Sequence, residues 1–149
     1  EIIVHREVIA VIPILPDGNI LLVEQYRTPA AKLTLEIPAG RLNEGEHPDE
    51  AVHRELREET GYLSSSIEKI LSFYPAIGYS TEIIHLYIAR NLTKGIPDPD
   101  EDEIIENHTY PLKKALELIQ EGRIIDGKSI LGLLYFERLR TEGERTLKR

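Results

Sequence analysis

The residues best placed to do chemistry are Glu55, Glu58 and Glu59, in the run Arg54-Glu55-Leu56-Arg57-Glu58-Glu59-Thr60. The pattern from Pro48 to Thr60 is helical, with Pro48 suited to a first turn and Gly61 to a stop. At about 100° per residue, Val52 and Leu56 mark the apolar stripe that should face a core. Glu59 falls at an angle between them, and Glu55 lies beside it one turn earlier. Two carboxylates therefore occupy a stripe where an ordinary amphipathic helix carries Leu or Val. Burying them unpaired is costly, so a cation must accompany them. Arg54 points elsewhere on the wheel and does not readily serve both. Side chains at i and i+4 have bases about 5–6 Å apart, so both acids can reach one divalent ion or bridge two. Oxygen donors alone favour Mg²⁺ or Mn²⁺ over zinc. Glu58, on the flank of the same face, could complete the shell. The competing reading is a solvated helix whose Arg and Glu residues form surface ion pairs.

Positioning such a helix requires a scaffold, and the flanking sequence supplies one. Residues 2–15 are dense in Val and Ile, Pro16-Asp17-Gly18-Asn19 is a turn, and residues 20–23 continue as a second strand, so a β-hairpin is expected. Short extended segments are expected over 33–38, 67–74, 82–89 and 103–110, with an acidic, proline-bearing loop over 95–102. Helices are expected over 112–121 and 127–140. Strands dominate early and helices are few and late, which is an α+β arrangement with a mixed sheet rather than a regular βαβ array. No repeat or linker divides residues 1–149, so one domain is expected.

The chain of 149 residues is 41% hydrophobic and 30% charged, enough for an ordinary globular core. Its apolar runs are far short of the roughly 18 residues a membrane span needs. The formal net charge of -8 disfavours a non-specific grip on nucleic acid, which depends on Lys and Arg. Divalent cations can still bridge an acidic protein to a small phosphorylated ligand. No Cys is present, which excludes disulfides and thiolate chemistry and suits a reducing, cytoplasmic setting.

Three other signals resemble chemical motifs but lack the context those motifs need. Gly122-Arg123-Ile124-Ile125-Asp126-Gly127-Lys128-Ser129 fits the P-loop pattern by letter, but it follows an expected helix rather than a strand. Gly122 as a helix stop and Asp126 as the next helix cap explain it better. His5, His47, His53, His85 and His108 lack ligand spacing. Ser64-Ser65-Ser66 lacks a flanking glycine elbow, which disfavours a serine hydrolase.

Spacing decides between the metal and surface readings. Gly40, five residues, Glu46, seven residues, Arg54-Glu55-Leu56-Arg57-Glu58-Glu59-Thr60-Gly61-Tyr62 matches the Nudix box in full, with Tyr62 where an aliphatic residue is commoner. A chance match along this chain is on the order of one in a million. The chain resembles the Nudix hydrolases over residues 40–62. Over most of its length it is similar to their ADP-ribose pyrophosphatase branch, through Glu24-Gln25-Tyr26-Arg27, Leu35-Glu36-Ile37-Pro38-Ala39-Gly40, Tyr74-Pro75-Ala76-Ile77-Gly78-Tyr79-Ser80-Thr81-Glu82 and Asp100-Glu101-Asp102-Glu103-Ile104-Ile105-Glu106. The first strand lacks the His-Pro-Gly stretch that many relatives carry.

The resemblance implies an α/β/α sandwich whose box is a loop-helix-loop. It also implies Mg²⁺, with Mn²⁺ as a substitute, at two or three ions per site. The implied ligands are Glu55, Glu59, Glu58 and the Ala39 carbonyl, with Glu46 and Arg54 paired to brace the box. Glu103 is the implied base, with Glu101 in reserve, beside Glu55 and Glu59 in catalysis. Arg27, Glu36, Ser80 and Glu82 are the implied substrate contacts. The expected reaction is hydrolysis of ADP-ribose to AMP and ribose 5-phosphate by a homodimer. Other nucleotide sugars, dinucleoside polyphosphates or damaged nucleotides are alternative substrates. A non-catalytic sensor is disfavoured because every box acid is present.

Overall fold

The computed structural model describes residues 1–95 and 105–147. Strand β1 (Val8–Pro13) is buried at all six residues, so both of its faces must be covered. Its edges are taken by β4 (Ala39–Arg41), antiparallel, and by β6 (Ile84–Lys94), parallel. β5 (Tyr62–Phe73) pairs antiparallel with β6, giving a four-stranded sheet in the order β4-β1-β6-β5. In a second, antiparallel sheet, β2 (Ile20–Arg27) lies between β3 (Lys32–Glu36) and β7 (Glu106–Tyr110).

Alternate side chains of β1 enter different cores. Ala10 and Ile12 meet Ile20, Leu22 and Leu35 of the second sheet, together with Leu118 of α2 (Leu112–Gln120) and Leu133 and Phe136 of α3 (Gly127–Leu147). Ile9 and Val11 pack instead with Ala51, Val52 and Leu56 of α1 (Pro48–Thr60). Full burial of a side chain such as Leu56 stabilises by about 1.5–3 kcal/mol, and this face fixes α1 against the sheet. Its ends are set locally. His47 Nδ1 accepts a hydrogen bond from the Asp49 N–H at 3.1 Å, and Gly61, at φ +78°, donates its N–H to Arg57 O at 2.9 Å. A left-handed residue closing a helix is the position glycine suits best.

The α+β class, the mixed sheet and the bounds of α1 agree with the sequence reading. The expected hairpin does not. Gly18 turns the chain at φ +86°, but only the Ile14–Ile20 bridge joins the two runs. Both edges of β1 are already occupied, so β2 leaves for the other sheet. The first run is also shorter than expected; Ile3 lies outside β1 and bridges to Ser80. β5 begins at Tyr62 rather than 67, and α3 continues to Leu147 rather than 140. Among the described residues, no helix is long and apolar enough to cross a membrane.

Candidate active site

The site is assembled where α1 meets the start of β4. Glu59 reaches back to the strand, and its Oε2 accepts a hydrogen bond from the Ala39 N–H at 3.2 Å. Burial, and then the nearby charge of Glu55, push its carboxyl up to about 8. The Glu55 carboxyl lies directly against Gly40, where any Cβ would collide with it. Burial also raises Glu55, although Arg54 opposes the shift. The two acids on the apolar stripe are therefore brought together and desolvated, as the helix wheel indicates. Glu58 is more open and accepts from Arg54 at 3.2 Å.

Arg54 serves one of the two stripe acids and not both, as expected, though its reach to Glu55 was not legible on the wheel. It holds Glu46 through two hydrogen bonds of 2.8 Å and also donates to Glu55 Oε1 at 2.6 Å and to Arg41 O at 2.9 Å. A wheel angle locates Cβ, whereas a guanidinium reaches several ångströms sideways and presents five donors. The Glu46–Arg54 brace is present, and it holds Glu46 at about 2. Among the described residues, no arginine or lysine pairs with Glu59. Glu55 and Glu59 offer oxygen donors of the kind a divalent cation takes, although with Glu58 the three carboxylates do not converge to within 4.8 Å of one another.

Beside these acids lies a cleft of about 370 Å³, lined in part by Ala39, Gly40, Arg41, Arg27, Glu82 and Lys128. Arg27 is bidentate with Glu36, at 2.6 and 2.8 Å. Glu36 is buried, and it also accepts from Thr34 Oγ1 at 2.7 Å and Lys128 Nζ at 3.1 Å. Burial alone would raise its carboxyl, but Arg27 and Lys128 bring it down to about 2. With these partners, Glu36 orients cations rather than offering itself to a ligand. Glu82 lines the cleft. Ser80 is less available, because its Oγ accepts the Glu82 N–H at 3.2 Å and its backbone bridges to Ile3. Glu101 and Glu103 lie outside the described residues.

The P-loop reading fails on context, because the segment follows α2. Asp126 caps α3, accepting from the Ser129 N–H at 3.2 Å. The sequence reading missed Lys128 as part of the cleft. A lysine in a helix's first turn opposes the macrodipole, and that mismatch was the available signal. His85 and His108 stand among hydroxyl and acidic groups. Nearly buried His85 lies 2.7 Å from Ser72 Oγ and 3.1 Å from Glu7 Oε1. His108 Nε2 stands 3.7 and 3.8 Å from Glu24 and Glu106, a group whose ligand atoms all lie within 4.8 Å of one another.

The model of the NUDIX domain matches residues 4–131. The chain belongs to that family and is a Nudix hydrolase. It is 42% identical over 139 residues to a methanol dehydrogenase activator of Bacillus methanolicus, covering 92% of this chain and 75% of that protein. It is 36% identical over 139 residues to an ADP-ribose pyrophosphatase of Bacillus subtilis (strain 168), with the same two shares covered. A GDP-mannose pyrophosphatase of Yersinia enterocolitica is 38% identical over 129 residues, covering 80% of this chain and 67% of that one. A crystal structure of an ADP compounds hydrolase shares the fold, with a TM-score of 0.82 at 24% identity over 93% of this chain and 75% of that chain.

Proposed function

We propose that this hydrolase cleaves the diphosphate of ADP-ribose, yielding AMP and ribose 5-phosphate. The observation that carries the reading is the pairing of Glu55 and Glu59, desolvated against Gly40 and Ala39 at one side of a cleft that also holds Arg27. Glu55, Glu59, Glu58 and the Ala39 carbonyl would hold Mg²⁺, or Mn²⁺ in its place, at two or three ions. Bound there, the ions would supply charge neutralisation for the diphosphate and Lewis acidity toward water.

The remaining roles belong to the chain. Arg27, aimed by Glu36, meets charge that develops on the phosphate oxygens, where preorganised donors contribute most. Glu46 and Arg54 keep the loop before α1 fixed to the helix. Glu103, with Glu101 as the alternate, would take a proton from the attacking water. The choice of ADP-ribose is supported by the 36% identical pyrophosphatase. The 38% identical GDP-mannose pyrophosphatase supports a second reading, hydrolysis of a different nucleotide sugar.

The test is product analysis with Mg²⁺ and a panel of ADP-ribose, GDP-mannose, dinucleoside polyphosphates and nucleoside triphosphates. The expected result is the highest kcat/KM on ADP-ribose, with AMP released. Preference for GDP-mannose would move the substrate to the second reading, and no turnover of any member would overturn both.

A further inference from the structure

We infer that Lys128 is a positioning residue of the cleft, acting through Glu36 to fix Arg27, within a turn that also braces the strand leading to Ala39. The inference rests on the reading of the cleft as a diphosphate site. Lys128 lies in the first turn of α3, where a cation is disfavoured. Its side chain is only 14% exposed, so it has also given up solvation and rotamer freedom. For stability alone, an apolar side chain of similar volume would serve as well as a buried ion pair. Its contacts indicate what it does there. Nζ donates to Glu36 Oε1 at 3.1 Å and to both Asp126 oxygens at 3.0 Å.

Glu36 Oε1 is the same oxygen that receives Arg27 Nη2. One carboxylate, 3% exposed, thus lies between two cations, and each limits where the other can sit. The neighbouring residue extends the brace. Ser129 Oγ donates to Asp126 Oδ2 at 2.6 Å and accepts the Ile37 N–H at 2.9 Å, two residues before Ala39. Ser129 is fully buried. Asp126 holds both contacts, so one turn at the head of α3 sets the arginine on β2 and the approach to β4.

The test compares Lys128→Met, Lys128→Arg and Arg27→Ala with the double variant Arg27→Ala/Lys128→Met. Lys128→Met should lower kcat/KM by about 10- to 100-fold, the scale of lost outer-shell partners. The loss should lie mainly in KM, with the Mg²⁺ concentration for half-activation unchanged. Lys128→Arg, which can still bridge Glu36 and Asp126, should recover most of it. If Lys128 works through Arg27, the double variant should be no worse than Arg27→Ala alone. Losses that multiply, or an unchanged KM in Lys128→Met, would overturn the inference. The wild type, Lys128→Met, Arg27→Ala and the double variant, compared by thermal unfolding, read the Lys128–Arg27 coupling without any substrate. Additive shifts there sink the inference even if no diphosphate is turned over, whereas non-additive shifts with a silent wild type sink only the functional reading. Lys128→Gln replaces Lys128→Met if that variant does not fold.

Discussion

Glu59 differs from the acids around it in what it can lean on. Glu55 and Glu46 share Arg54, and Glu36 has Arg27 and Lys128, whereas the hydrogen bond to Glu59 comes from a neutral amide. Glu59→Gln keeps an acceptor for the Ala39 N–H and cannot ionise beside Glu55 as pH rises through about 8. Turnover should fall by at least about 100-fold, the scale of a lost electrostatic contribution at a reacting centre. Thermal stability in EDTA at pH 8 should hold or rise. Full Mg²⁺-dependent activity in that variant would remove the basis of the functional reading. At this scale the paired acids were legible because helical periodicity alone sets the angle of Cβ. The reach of Arg54 was not, nor was the burial of Lys128, since both depend on side-chain paths and on a partner distant in the chain.

Among the elements, α1 was the most legible, because its start and stop are local chemistry, from Pro48 to the left-handed Gly61. The pairing of β1 was misread for the opposite reason. A turn brings two runs near each other, but sheet partners are chosen across the whole fold, and β1 prefers β6, some seventy residues on. The contact of α1 with β4 makes a sharper test. Alanine at Gly40 meets the Glu55 carboxyl and must push it aside. Gly40→Ala should weaken Mg²⁺ activation by about 10- to 100-fold while leaving the metal-free melting temperature close to that of the parent. A Mg²⁺ titration of activity checks it, and an unchanged half-activation concentration would show that Glu55 does not need that place.

For the molecule as a whole, the acids pull stability in opposite directions with pH. The folded pKa of Glu59, about 8, lies above its ordinary 4.5, so between those values the folded chain holds a proton that the unfolded chain has released. Stability from this group is complete below pH 4.5 and is lost as pH rises through 8. Glu36 and Glu46, at about 2, behave inversely. Their contribution is present above 4.5 and is lost as pH falls toward 2. In EDTA, the melting temperature should therefore peak near pH 5. On the proposed metal site, saturating Mg²⁺ should raise the alkaline limb most. A melting temperature in EDTA that climbs steadily from pH 5 to 8 would contradict this.

Strand β1 separates two interiors, and each depends on it. A screen for inactive variants will therefore return hits at Ile9, Val11 and Ile12, although none of them lines the cleft. Such hits would resemble catalytic lesions in crude extracts and should recover on cooling, when the weakened wall re-forms. Heat-sensitive variants are thus expected to cluster in the short hydrophobic stretch of β1, away from the acids of α1.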